Sequence, residues 1–250
     1  MDRFSLAATM LGLAMAIAPA TGARAADLKV LAGGSMTVSL RELGPRFERA
    51  SGHKLDMTFA ATPDLIKMAT SAPFDLGVVP IDVMNDAGAK AKFAAPITDI
   101  ARVGYGVAFR AGAAKPDVST PDALKQTLLN AKSITFIPGS AAGAYVIKVF
   151  ERLGIADAMQ AKTITQTATG KIPEAVASGE AELGVFLTNV LIAPGVELAG
   201  PFPGDLQQEF VFVGAVAADS KDATAAKAFL DYLKSPEAAA AFKAKGVTPG

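Results

Sequence analysis

Leu28-Lys29-Val30-Leu31-Ala32-Gly33-Gly34-Ser35-Met36-Thr37 reads as a buried strand that runs into a tight glycine turn and then into the first turn of a helix. Val30, Leu31 and Ala32 form the short apolar run of a parallel strand covered on both faces, and Met36, Leu40, Leu43 and Phe47 follow at helical spacing. Gly33 and Gly34 let the backbone come close to whatever sits above the strand. Ser35 offers a hydroxyl and, with Met36 and Thr37, backbone N–H groups that have no partner inside the helix. A helix start carries partial positive charge, so a small anion is its natural guest. The same joint also suits an ordinary capped helix after a strand.

Three more joints of this kind lie further along. A strand over 55–60 ends in Ala61-Thr62-Pro63-Asp64 ahead of a helix over 65–70; Thr62 is the expected N-cap, and Pro63 suits the first helical position. A strand over 133–137 leads through Pro138-Gly139-Ser140-Ala141-Ala142-Gly143-Ala144 into a helix carrying Tyr145, Val149 and Leu153 and stopped by Gly154. Thr167-Ala168-Thr169-Gly170-Lys171 precedes a helix over 172–177. Further strands are expected over 75–80, 183–188 and 210–217, with Asp75 fixing a neighbouring loop. Alternation at Val103, Tyr105, Val107 and Phe109 predicts a strand over 103–110 that crosses between lobes. Thr120-Pro121-Asp122 and Ser235-Pro236-Glu237 cap two more helices, and the C-terminal helices pack back on the first lobe. His53 sits in a polar turn and is expected to be solvated. Apolar strands alternating with helical patterns predict an α/β fold with mainly parallel sheets.

The first 25 residues read as a cleaved signal peptide: Arg3, an apolar run over 6–17, Pro19, and an Ala23-Arg24-Ala25 cleavage pattern. Removing Asp2, Arg3 and Arg24 from 24 basic and 24 acidic residues leaves 22 and 23, a net charge of −1. That balance points to no nucleic-acid partner. With no cysteine in the chain, disulfides, thiolate nucleophiles, zinc–thiolate sites and a lipoprotein anchor are excluded. Half the residues are hydrophobic, enough for one long domain or two lobes.

With these pieces in order, the chain resembles the periplasmic molybdate-binding protein family of the type II solute-binding fold over its whole mature length. The likeness is carried by Gly34-Ser35-Met36-Thr37, Phe59-Ala60-Ala61-Thr62, Ala72-Pro73-Phe74-Asp75-Leu76, Ala142-Gly143-Ala144-Tyr145, Phe150-Glu151-Arg152-Leu153-Gly154, Gly179-Glu180-Ala181-Glu182-Leu183-Gly184 and Phe229-Leu230-Asp231-Tyr232-Leu233-Lys234-Ser235-Pro236. It implies two α/β lobes, 27–104 plus 206–250 and 105–205, with a cleft between them. It also implies an oxyanion held by hydroxyls and helix-start N–H groups. Carried over, Ser35 matches the first serine, Thr62 the second hydroxyl donor, Ala142 a backbone donor and Thr169 the next; Met36, Gly143, Gly170 and Lys171 adjoin them and complete the expected ligand-binding set. At Leu187 the family's molybdate binders place a tyrosine whose hydroxyl reaches the anion. Leucine donates nothing, and an unmet partner for a charged group costs on the order of 1.5–3 kcal/mol. The ligand therefore stays open between a molybdate-like oxyanion and a small polycarboxylate.

Val103-Gly104-Tyr105-Gly106-Val107-Ala108-Phe109-Arg110-Ala111-Gly112-Ala113, Pro116-Asp117-Val118-Ser119-Thr120 and Gly200-Pro201-Phe202-Pro203-Gly204-Asp205-Leu206-Gln207 are similar to a subgroup that includes aconitate isomerase, which shifts a double bond in a tricarboxylate by proton transfer. Two functions follow. The first is a periplasmic binding protein of an ABC-type importer, monomeric, without cofactor or metal, presenting a small anion to an inner-membrane permease. The second is an isomerase that needs a positioned base. Lys171, Tyr145, Tyr105 and Glu209 are the candidates for that base, and none has a motif around it. A transcription-regulator effector lobe is excluded by the secretion signal and the lack of a DNA-binding helix pair.

Overall fold

Alternate residues of the first strand part to opposite faces. Leu28, Val30 and Ala32 pack with Leu40, Leu43 and Phe47 on one side, whereas Leu31 packs with Leu65 and Ala69 on the other. Both faces are therefore covered by helices, as a continuous apolar strand requires. The computed structural model describes residues 25–250, so the expected leader, except for Ala25, lies outside the described residues.

The first lobe begins with β1 (Asp27–Gly33), a 3₁₀ turn (Gly34–Met36), α1 (Thr37–Ser51), β2 (Lys54–Ala60), α2 (Thr62–Ser71), β3 (Leu76–Pro80), α3 (Ala87–Lys90) and β4 (Thr98–Val103). The second lobe holds β5 (Tyr105–Arg110), α4 (Pro121–Asn130), β6 (Ile134–Phe136), α5 (Ala141–Arg152), α6 (Ala156–Lys162), β7 (Thr163–Thr165), α7 (Lys171–Ser178), β8 (Leu183–Leu187), α8 (Thr188–Leu191) and β9 (Val196–Pro201). The chain then returns with β10 (Phe210–Val216), α9 (Ala223–Leu233), α10 (Pro236–Ala244) and β11 (Thr248–Pro249). The first sheet runs β11-β4-β10-β3-β1-β2 and the second β7-β6-β8-β5-β9.

Each sheet is mixed, where the sequence pattern predicts mainly parallel ones. β1 pairs parallel with β2 and β3, and β6 with β7 and β8. β10 is antiparallel to β3 and β4, β11 to β4, and β5 to β8 and β9. The antiparallel strands are those that carry the chain out of one lobe and back, and such strands need no crossover helix. The expected strand over 103–110 is accordingly two strands in different sheets, broken at Gly104. The C-terminal helices do pack on the first lobe, where Phe47 of α1 meets Phe229 and Tyr232 of α9 at 4.9 and 5.6 Å between ring centres. Asp75 accepts from Lys29 N and Ser220 Oγ at 2.9 and 2.8 Å, tying the strand ends together. His53 is half-buried rather than solvated: its Nδ1 accepts from Ala26 N at 3.1 Å and its ring stacks on Phe47.

The two crossings between the lobes are joined to each other. The Gln207 side chain accepts from Tyr105 N at 2.8 Å and donates to Tyr105 O at 2.9 Å, imitating a strand partner. The Tyr145 hydroxyl donates to Leu206 O at 2.9 Å, and Arg152 holds Asp205. Tyr105 itself lies in an aromatic stack with Tyr145, Phe202 and Phe210. Burial, reinforced by the Asp82 carboxylate and Tyr145, holds its phenol well above the ordinary value.

The unfolded chain loses this proton near pH 10 and the folded chain only higher, so above about pH 10 the folded state binds more protons and stability falls as pH rises. Tyr105→Phe is expected to keep near-wild-type stability at neutral pH and to make that alkaline decline shallower. Burial raises Tyr145 and Tyr232 as well, so part of the decline remains. Urea midpoints between about pH 8 and pH 11 measure the slope; the same slope in both proteins would mean that the Tyr105 phenol ionises freely in the fold.

Candidate functional site

Between the lobes lies a cavity of about 160 Å³, smaller than the ~300–1,000 Å³ of sites for drug-sized ligands. Gly33, Gly34, Ser35 and Thr37 line it from the start of α1, Ala60, Ala61 and Thr62 from the start of α2, Ser140 and Ala142 from the start of α5, and Thr167, Ala168 and Thr169 from the turn before α7. Phe59, Pro80, Ile137, Phe186, Leu187 and Phe210 complete the lining. Among the described residues, none that lines it is charged, a histidine or a tyrosine.

Each joint presents donors for a local reason. The Ser140 hydroxyl donates to Ile137 O at 2.9 Å and accepts from Gly143 N at 3.0 Å, which caps α5 and leaves the N–H groups of Ala141 and Ala142 without intrahelical partners. At α2 the N-cap position is Ala61, not Thr62 as the sequence predicts, and no side chain caps the helix. Thr62 is thus the first helical residue, 7 % exposed, with a hydroxyl that makes no hydrogen bond among the described residues. The Ser35 hydroxyl is likewise without a protein partner among them. Both hydroxyls line the cavity and are free to donate to a guest there.

Of the sequence-predicted set, Ser35, Thr62, Ala142 and Thr169 come together on this cavity, while Met36, Gly143, Gly170 and Lys171 do not line it. Met36 is fully buried in the core of the first lobe, because its side chain follows the apolar stripe of α1. Gly143 lies beneath the first turn of α5, against the Ile137 carbonyl. Gly170 is exposed, and Lys171 pairs with Glu174 one turn on at 2.7 Å with more than half its side chain in solvent. Gly33 lines the cavity with its backbone, and its missing Cβ makes room for the Phe212 ring, since a Cβ there would sit 2.7 Å from Phe212 Cε1.

Asn189 has no place in the sequence reading. It is 7 % exposed, and its Nδ2 donates to Ser35 O across the cleft at 2.7 Å while its Oδ1 is buried without a partner. Thr169 Oγ1 donates to Gly34 O at 3.1 Å, also from one lobe to the other. The second lobe therefore grips the Gly34–Ser35 turn of the first at two points. The only signal for Asn189 was a polar residue just past the carboxyl end of a strand, where open α/β sheets place their ligands. Asn189→Ala is expected to weaken closure by about one net hydrogen bond, 0.5–1.5 kcal/mol, and so to lower anion affinity by up to roughly tenfold. Titration calorimetry with the best-binding anion measures this, and an unchanged dissociation constant would mean the contact plays no part in closure.

The family model described as bacterial extracellular solute-binding protein matches residues 28–248. The chain belongs to that family. Among relatives of this solute-binding protein, the aconitate isomerase of a Pseudomonas species is 34% identical over 235 residues, covering 89% of this chain and 87% of the relative. The molybdate-binding protein ModA of Azotobacter vinelandii is 26% identical over 250 residues, covering 97% and 98%. In structure, the Azotobacter vinelandii periplasmic molybdate-binding protein superposes with a TM-score of 0.75 at 19% identity, over 88% of this chain and 98% of that one. This last likeness supports the two-lobed fold, which is that of the periplasmic binding proteins.

The segments similar to aconitate isomerase (103–113, 116–120 and 200–207) build β5, the ends of β4 and β9, and the crossings of this solute-binding protein. None of those residues lines the cavity.

Proposed function

We propose that this protein captures a small, multiply charged anion between its lobes in the periplasm and, as a monomer, presents it to an inner-membrane ABC permease. The observation that carries this reading is the lining: hydroxyls and helix starts from both lobes meet on one small cavity that has no ionisable side chain among the described residues. Such a site holds negative charge through oriented dipoles and hydrogen bonds and offers no reactive group. The ModA relatives support an inorganic oxyanion as the guest, and the aconitate isomerase supports a small polycarboxylate. A thermal-shift panel of molybdate, tungstate, sulfate, citrate and cis-aconitate tests the reading, because selective binding to the native state raises the melting temperature. No shift with any of them would remove it.

A second reading, an aconitate-isomerase-like enzyme, draws on the 34% identity to that isomerase. Moving the double bond needs a base within about 2.6–3.2 Å of the carbon acid's proton. The four candidates are engaged elsewhere: Lys171 with Glu174, Tyr145 with Leu206 O, Tyr105 in the aromatic stack and Glu209 with Arg102 at 3.3 Å. Binding is therefore the better-supported reading. Incubation with cis-aconitate, followed by proton NMR for the trans isomer, separates the two; turnover above background would favour the enzyme.

A further inference from the structure

We infer that the anion is the carboxylate of a short carbon-chain acid rather than an inorganic oxyanion, an inference that rests on the anion-binding reading above. The cavity is unequal in its donors. Toward the starts of α1 and α2 it offers the unpaired hydroxyls of Ser35 and Thr62, the latter nine-tenths buried. Toward the hinge it offers none. There Phe210 pairs with Val103 and Leu187 with Tyr105, the two residues that flank the crossing at Gly104, and Phe186 stands beside Leu187. Leu187, Phe186 and Phe210 are 1%, 2% and 8% exposed, so this wall is sealed hydrocarbon.

The donors of Thr188, next to Leu187 in the chain, are already committed. Thr188 N and Thr188 Oγ1 both donate to Gly104 O, at 2.9 and 3.2 Å, and turn toward the hinge. Pro80, also in the lining, has no N–H. A tetrahedral oxyanion carries oxygen in every direction, and an oxygen directed at this wall would lose its hydration with no donor in return. A carboxylate sends its oxygens to one side and its carbon to the other. In a short polycarboxylate the carboxylates can take the hydroxyls of Ser35 and Thr62 and the helix starts, that of α5 included, while the methylene groups between them cover Leu187 and Phe210, leaving no charged atom against apolar surface.

Titration calorimetry on the secreted protein, with molybdate and sulfate set against malonate, succinate and tricarballylate, tests this directly. The tightest carboxylate is expected to bind at least about tenfold more tightly than either oxyanion, about 1.4 kcal/mol. Leu187→Asn, which adds a donor to the wall on a side chain of the same branching and heavy-atom count, is expected to shrink that ratio at least about threefold. Molybdate or sulfate binding as tightly as every carboxylate would overturn the inference and leave the anion-binding reading standing. Absence of binding by all five would remove that reading as well. Should Leu187→Asn fail to fold, the wild-type ratio alone decides.

Discussion

Alanine at both Ser35 and Thr62 is expected to lower anion affinity by about a hundredfold or more while the protein keeps its fold. A hydrogen bond to a charged group contributes about 1.5–3 kcal/mol, so each hydroxyl alone should account for at least roughly tenfold. The two act on one anion, so their effects need not add and the double variant must be measured. Neither hydroxyl holds the protein together: the α2 N-cap is Ala61, and the side chains of Ser35 and Thr62 make no hydrogen bond among the described residues. The melting temperature without anion should therefore stay close to wild type, and calorimetric titration beside a thermal scan reads both quantities. Undiminished affinity in the double variant would show that the anion rests somewhere else.

Gly143→Ala should damage the second lobe itself. A Cβ at this position would fall 1.8 Å from Ile137 O, 2.7 Å from Ile137 C and 3.0 Å from Pro138 Cα, all backbone atoms with no freedom to rotate away. The first turn of α5 would have to lift from the chain leaving β6. That movement breaks the Ser140 cap and shifts Ala142, which lines the cavity. Overpacking of this kind costs about 3 kcal/mol or more, a fall in melting temperature of about 6–12 °C for a chain of this size. Gly139→Ala is the control, because nothing lies within 4 Å of the Cβ it would add. If Gly143→Ala melted with its control, the close approach to Ile137 would not exist in solution. The glycine is thus needed for packing beneath the site, although its place in a glycine-rich helix start reads equally well as ligand contact.

Local chemistry alone was enough to read the elements that begin the site. The apolar run at Val30–Ala32, the proline-led starts at Thr120-Pro121 and Ser235-Pro236, and the cluster around Ser140 depend on neighbours within one turn, and all stand as strands or helix starts in the fold. Strands β4 and β9 escaped because their residues carry no clean alternation, and the break at Gly104 escaped because the apolar pattern runs through it unbroken. Tertiary structure decided the rest. Ser35 and Met36 are adjacent, yet one faces the cavity and the other the core, because successive side chains of the 3₁₀ turn point about 120° apart. Thr169 reaches Gly34 across 135 residues and Asn189 reaches Ser35 across 154, contacts that no periodicity in either segment encodes. The sequence therefore determined which turns can hold an anion, since free N–H groups and hydroxyls follow from the residues at each helix start. Only the packing of two mixed sheets around Gly104 determined which of those turns share one cavity, because distance through space is set by long-range contacts and not by order along the chain.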